Sequence, residues 1–349
     1  MNLKDKAKSF LCIVCVLVVI SGGMICVENE VAKCVNISEE GALMAAFLVM
    51  PNGYVEEEKK IEKTVKKPKR EVVETTDENK VKEKSENKNE AKYRINEMDM
   101  SGGGVDYGIF SIKNTTSYDI DAQSLLSAKL PFEMKDSHEV QVLIVHTHAC
   151  ESYMEDDNGY YYESFYPRST DINKNVVAVG KAISKSLKSK GIGVVNATTL
   201  HDSPSYDGAY SRSFDTISKY LDRYKEIKVV LDIHRDSMTQ DDNTKLKPTF
   251  TYNGKKGAQI MIMSGHDESY TDFPHWEENL NFALKLQKTC EQMYPSMTRP
   301  MYFGDFTYNM NANNGSLLIE VGTDANTLNE AVYSGELLGN ALAKVLQNQ

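Results

Sequence analysis

Three apolar runs, each ending in groups able to bind a metal or move a proton, set the pattern of this chain. At 142–145 the text reads V-L-I-V. It is short and apolar at every position, which predicts a strand buried on both faces. It leads into His146, Thr147, His148 and then Glu151. A second run, I-K-V-V-L-D-I at 227–233, ends in His234, Arg235 and Asp236, and a third, S-L-L-I at 316–319, ends in Glu320, Val321 and Gly322. The stretches between them carry helical and extended periodicities. Residues 175–190 place Val176, Gly180, Ile183 and Leu187 on one stripe, with Gly191 as a natural stop, and so predict a helix. A strand follows at 193–195, a helix at 213–224, a strand at 258–263, an amphipathic helix at 276–294 stopped by Pro295, and a closing helix at 327–346. This alternation predicts an α/β fold with a mainly parallel sheet and helices on both faces. Ligands of such sheets bind at the carboxyl edge of the strands, where all three runs deliver their polar residues.

The pattern changes towards the N-terminus. Lys4, Lys6 and Lys8 precede an apolar run over 10–27, and Glu28 and Glu30 follow it. The run is near the lower limit for a membrane span. The flanking charges predict a cytoplasmic head and an exported remainder, so a single-pass cell-membrane protein; a cleaved signal peptide is the competing reading. A second apolar piece at 42–50 is too short to span. Residues 55–98 mix both charge signs with few apolar positions, which predicts a solvated, largely disordered tether, and the S-G-G-G at 101–104 adds a joint. The expected organisation is head and anchor over 1–27, stalk over 28–104 and catalytic domain over 105–349.

Charge and cysteine content narrow the function. Residues 1–100 hold 17 Lys and Arg against 18 Asp and Glu, while the rest holds 23 against 32, so nearly all of the net charge of −10 lies in the globular part. An acidic catalytic part argues against a nucleic-acid partner and is compatible with a carbohydrate or peptide substrate. Of six cysteines, Cys150 and Cys290 fall in the globular part, and no C-x-x-C lies outside the apolar run, which leaves no cysteine zinc site. Cys150 beside the histidines is a candidate nucleophile, but a Cys–His enzyme leaves Glu151, His234 and Glu320 without a task. A Cys150–Cys290 disulfide stays open at this point. The tyrosine-rich stretch 154–170, with Tyr160, Tyr161, Tyr162, Tyr166 and Arg168, suits either a substrate-binding lid or a loop packed on its own domain. His138, His201, His266 and His275 lie away from the strand ends and are expected to be surface or hydrogen-bonded residues. Histidines and carboxylates at neighbouring strand ends, with one Glu to spare as a base, are the usual composition of a hydrolytic zinc site.

The runs V-L-I-V-H-T-H-x-x-E-S-Y, N-V-V-A-V-G-K-A-I, H-D-S-P-S-Y-D-G-A-Y-S-R-S, V-V-L-D-I-H-R-D and L-I-E-V-G-T together resemble the stage II sporulation protein P family over residues 138–346. The resemblance implies a zinc N-acetylmuramoyl-L-alanine amidase-like fold and a membrane-anchored peptidoglycan hydrolase at the septum and engulfing membrane of a sporulating cell. It implies cleavage of the amide between muramic acid and L-alanine, with an associated stem-peptide endopeptidase activity, and the stage II sporulation proteins D and M as partners. Matched residue by residue, it implies His148 and His234 as zinc ligands and Glu320 as the catalytic base. The broader zinc amidases, which the fold implied here resembles, place their middle ligand as a Glu at the start of the first helix, and here that region reads T-D-I-N-K-N. The third ligand is therefore open among Glu151, Asp171 and His146, with Glu151 preferred for lying within one turn of His148. Arg235 is expected either to assist at the oxyanion or to form a structural ion pair, and Asp236 and His146 to orient the ligands. Two other readings compete: an amidase-like fold that has lost catalysis and recruits other hydrolases to the wall, and a tethered metalloprotease. The absence of H-E-x-x-H weighs against the latter.

Overall fold

A computed structural model describes residues 90–137, 139–267 and 272–348. The apolar run over 10–27, the piece at 42–50, most of the charged stalk and His138 lie outside them. Among the described residues no helix is long and apolar enough to cross a membrane.

The expected strands at the three chemical runs are adjacent in an eight-stranded sheet. They are β4 (Val140–Val145), β7 (Val229–Asp236) and β12 (Ser316–Thr323). Strand β4 pairs parallel with β6 (Gly193–Asn196) and with β7, and β7 pairs parallel with β12. The parallel run then breaks. Strand β10 (Ile260–Gly265) lies antiparallel to β12, and β11 (Met301–Gly304) and β3 (Ser111–Asn114) continue parallel to β10. A short β2 (Val105–Asp106) closes the edge antiparallel to β3. The sheet is thus mainly parallel but runs in two opposed halves.

Both faces are covered, which is why the strand text is apolar without alternation. On one face Val142 and Ile144 of β4, with Val229, Leu231 and Ile233 of β7, join the main core. That core includes buried residues of α2 (Val176–Ser189), α4 (Trp276–Met293) and α5 (Leu328–Gln347). On the other face Leu143 and Val145 pack with Ile217 of α3 (Ala209–Arg223). Local signals set these helices. The Asn175 side chain caps α2 by accepting from Val177 N–H, and Gly191 takes the left-handed conformation (φ +80°) after its end. Thr327 and Glu330 form a reciprocal capping box on α5, which satisfies two otherwise orphaned donors.

The folded part begins ahead of the boundary expected at 105. Strand β1 (Lys92–Met98) lies in a second sheet of order β5-β1-β8-β9, with β5 (Tyr160–Tyr162), β8 (Lys245–Tyr252) and β9 (Lys255–Ala258). Its alternation of charged and apolar residues is what made it read as linker. The tyrosine run is therefore a strand of the domain rather than a lid: Tyr160, Tyr161 and Tyr162 pair with β1, and Tyr161 is buried. Lys247 of β8 is almost fully enclosed and sits 2.6 Å from Asp157, 2.9 Å from Glu330 and 3.4 Å from Glu97. It ties the small sheet to the first turn of α5. One short helix not foreseen, α1 (Ala122–Ser127), is capped by Asp121.

Candidate metal centre

His234 comes from the end of β7 and Glu320 from β12 at the same level, since the two are paired in the parallel register. Just beyond Glu320 the register shifts, and Gly322 takes φ +68°, where an added Cβ would meet Asn326 Oδ1 at 2.6 Å. The E-V-G-T text is thus a bulge at the sheet rim, and only glycine fits it. After β4 the chain turns through Thr147–Cys150 and brings His148 and Glu151 beside His234. His148, Glu151 and His234 offer ligand atoms all within 4.8 Å of one another, the one such trio among the described residues. His148 Nδ1 lies 3.4 Å from Glu151 Oε1, and His234 Nδ1 lies 3.6 Å from Glu151 Oε2. All three residues are buried.

Each member is held by its neighbours. Asp232 Oδ1 lies 3.0 Å from His234 Nε2, close enough for an ion pair though not aligned as a hydrogen bond. Asp232 is itself fixed by Thr147, whose N–H and hydroxyl donate to it at 2.8 and 2.5 Å. This leaves His234 Nδ1 facing the trio. Glu151 Oε2 accepts from the backbone N–H of Arg235 at 3.1 Å. The turn is anchored from below, because Cys150 N–H donates to Asp202, which is also ion-paired with Arg168.

The electrostatics follow this packing. Burial opposes charge on His234, but Asp232 and Glu151 on either side outweigh it and hold the imidazole well above its usual value. Burial also pushes against ionised Glu151, yet hydrogen bonds from His148 and His234 and the charge of Arg235 hold it well below. For Asp232, His234 and Thr147 overcome burial and hold the carboxyl at about 2. Glu320 is the exception. Burial raises it to about 8 against the pull of His234, and its Oε2 is enclosed without a hydrogen-bond partner. Two imidazoles and a carboxylate converging on one point, beside an unpaired carboxyl oxygen, are a donor set that fits zinc.

The other residues singled out in the sequence have different surroundings. His146 is fully buried on the opposite face of the sheet, with Nδ1 3.1 Å from Ile233 O and Nε2 2.9 Å from Asn196 Oδ1. Gly180 of α2 makes room for it, since a Cβ there would meet the ring at 2.7 Å. His146 therefore supports the packing and does not reach the trio. Asp171 is exposed and accepts from Asn173 within its own turn. The Arg235 guanidinium donates to Ser152 O (3.1 Å) and Pro167 O (2.7 Å), a tether for the loop rather than an oxyanion donor. Asp236 accepts from Arg299 at 2.9 Å instead of orienting a ligand. Cys150 and Cys290 are both free and buried, and burial pushes the Cys150 thiol up to about 12, which removes it as a nucleophile. His201 is hydrogen-bonded inside the fold, to His146 O and Thr216 Oγ1.

Three residues at the site drew no role from the sequence. Asp232 lies inside the D-I-H-R-D run, and Tyr206 and Tyr210 inside H-D-S-P-S-Y-D-G-A-Y. Tyr206 stacks on the His148 ring at 4.5 Å between centroids, and Tyr210 meets the same ring edge-on at 5.4 Å.

The family model for Stage II sporulation protein P matches residues 26–343. The chain belongs to the stage II sporulation protein P family. It is 31% identical over 200 residues to Stage II sporulation protein P of Bacillus subtilis (strain 168), a match covering 54% of this chain and 47% of that protein. The chain thus spans about half the length of the curated relative it matches. Two solved structures overlay in part. N-acetylmuramoyl-L-alanine amidase AmiC2 of Nostoc punctiforme is 14% identical, with 61% of this chain and 97% of that one covered and a TM-score of 0.36. The CwlD amidase from Clostridioides difficile, in complex with the GerS lipoprotein, is 13% identical, with 60% and 100% covered and a TM-score of 0.37. At that level the overlays assign no chemistry to this family member.

Proposed function

We propose that the chain is a zinc-dependent peptidoglycan hydrolase of the sporulating cell that cuts the amide between N-acetylmuramic acid and L-alanine. The observation that carries this reading is the buried trio of His148, Glu151 and His234 beside Glu320, whose Oε2 has no partner inside the protein. An unpaired buried carboxyl costs several kcal/mol in principle unless a partner or a task compensates it. His148, Glu151 and His234 hold the metal. A zinc ion there supplies Lewis acidity, lowering the pKa of water towards about 7 and polarising a carbonyl. Glu320 Oε2 accepts the proton of the attacking water and passes a proton to the departing amine of L-alanine. The burial that raises Glu320 makes its carboxylate a stronger proton acceptor than an exposed one. The carboxylate of Asp232 lies against His234 Nε2 and favours charge on that ring, and Arg235 holds Glu151 through its backbone N–H. The apolar run over 10–27 anchors the enzyme in the membrane with the catalytic part outside, and the stage II sporulation proteins D and M are its partners.

The test is digestion of purified peptidoglycan by the full chain, with the new ends identified. The expected products are free L-alanine amino groups and intact lactyl ends, and a chelator abolishes their formation. His234→Ala should lose zinc and cleavage together while keeping its circular dichroism spectrum. Binding to the wall without new ends would instead favour a scaffold, and release of ends within the stem peptide alone would favour an endopeptidase.

A further inference from the structure

Tyr206 lies over the trio in a way the mechanism above does not use. Its ring stacks on His148 at 4.5 Å, and the Arg168 guanidinium lies over it at 5.2 Å. Arg168 is in turn fixed by its ion pair with buried Asp202. The side chain is still open to solvent, 46% exposed. Among the described residues its hydroxyl has one neighbour within hydrogen-bonding range, His148 Nδ1 at 3.5 Å. That contact is too long to use up the donor. The same Nδ1 lies 3.4 Å from Glu151 Oε1, so the phenol proton sits at the mouth of the trio without a firm acceptor.

Its position relative to Glu320 gives it a role. Glu320 is paired with His234 across β12 and β7, and His148, in the turn after β4 on the other side of β7, is the ligand that Tyr206 covers. Glu320 is therefore beside one histidine of the trio and Tyr206 beside the other. Hydrolysis of an amide needs a proton acceptor for the water and a donor for the carbonyl oxygen as it becomes an oxyanion. The nearby cationic donors are committed elsewhere: the Arg235 guanidinium to Ser152 O and Pro167 O, and Arg299 to Asp236. A neutral phenol can donate a hydrogen bond there without bringing a charge.

We infer that Tyr206 is a catalytic residue, its hydroxyl donating a hydrogen bond to the carbonyl oxygen of the scissile amide as negative charge develops there. The inference rests on the hydrolase reading. A donor that meets the oxyanion better than the ground-state carbonyl raises turnover without tightening substrate binding, and removing one such donor typically costs about 10²–10³ in kcat.

The test is Tyr206→Phe in the full chain, which keeps the ring stack and deletes only the hydroxyl. Four quantities are read on one preparation: zinc stoichiometry, kcat, KM on a disaccharide-peptide, and affinity for a phosphinate analogue of the tetrahedral species. Zinc content and KM should stay at wild-type values, while kcat and phosphinate affinity both fall about 100-fold. Unchanged kcat and phosphinate affinity overturn the inference. So does a loss of zinc in step with activity, which would make Tyr206 a support for His148. Should Tyr206→Phe fold poorly, O-methyltyrosine at 206 keeps the ring and the oxygen and removes only the donor proton. Its kcat and phosphinate affinity should fall as in Tyr206→Phe, and wild-type values of both overturn the inference. A wild-type chain without zinc or without amide cleavage overturns the hydrolase reading and this inference together. A wild-type chain with both, paired with an indifferent Tyr206→Phe, overturns this inference alone.

Discussion

Two clusters of ionisable side chains lie near the carboxyl end of β12, and they are built on opposite principles. Around Lys247, three carboxylates from β1, the loop at Asp157 and α5 surround one ammonium, and the charge is met on every side. Around Glu320, a half-buried side chain has one carboxyl oxygen enclosed and unmet. Both arrangements cost desolvation. In the first, contacts within the protein offset that cost, and the product is a joint between a small sheet and a helix. In the second the charges of His234 and Arg299 act on the group, but no hydrogen bond reaches its buried oxygen, which leaves that oxygen open to a proton or a reacting molecule. A buried charge with complete partners serves structure, and one left incomplete beside a ligand trio serves chemistry.

The comparison is broken most directly at Glu320. Glu320→Gln keeps the size and hydrogen-bonding capacity of the side chain and removes its proton affinity. Turnover should fall by about 10²–10⁴-fold, with zinc stoichiometry and melting behaviour near wild type. Zinc loss in that variant would make Glu320 a ligand rather than a base. Lys247→Met should do the reverse. It leaves Glu330 enclosed without its cation, and breaking a buried pair in this way costs about 3–5 kcal/mol. Because Asp157 and Glu97 are partly exposed and can turn to water, the lower end is expected. The change is read as a lowered denaturation midpoint, while the zinc bound per folded molecule stays constant.

The smallest effect is a pH slope in metal-stripped protein. The folded-state pKa of Glu320, about 8, stands above the value near 4.3 of an unfolded Glu. Between those values the native state binds the extra proton, so stability is full below about pH 4 and falls as pH rises through 8. Glu320→Gln should flatten that slope in melting temperature measured from pH 5 to 9. An equal slope in both proteins would mean that the carboxyl is not held neutral.

Much of this could be read from the chain, and the limits have physical causes. The three central strands and the helices α2, α4 and α5 announced themselves through period and caps, as did the carboxyl edge where His148, Glu151, His234 and Glu320 meet. His146 was harder. It shares the parity of Val142 and Ile144 and so faces α2, whereas His234 faces α3. A strand buried on both faces gives no sign of which parity points to the site, and only the turn after β4 carries His148 around to it. The opposed half of the sheet went unseen because β3 and β11 are short and partnered from afar. Strand β1 was hidden because alternating charge reads the same in an edge sheet as in a linker. Tyr206 sat in a stretch of obvious character, but its place over His148 depends on the path of a loop that no periodicity encodes.

Glu151 receives its hydrogen bond from the main chain of Arg235 rather than from a side chain. Every amino acid except proline carries that N–H. Position 235 can therefore drift through nearly the whole alphabet, at the expense of the loop tether, without silencing the donor that aims Glu151. The aim of that carboxylate is inherited through the backbone path of β7 and is shielded from most point mutations at the residue that provides it.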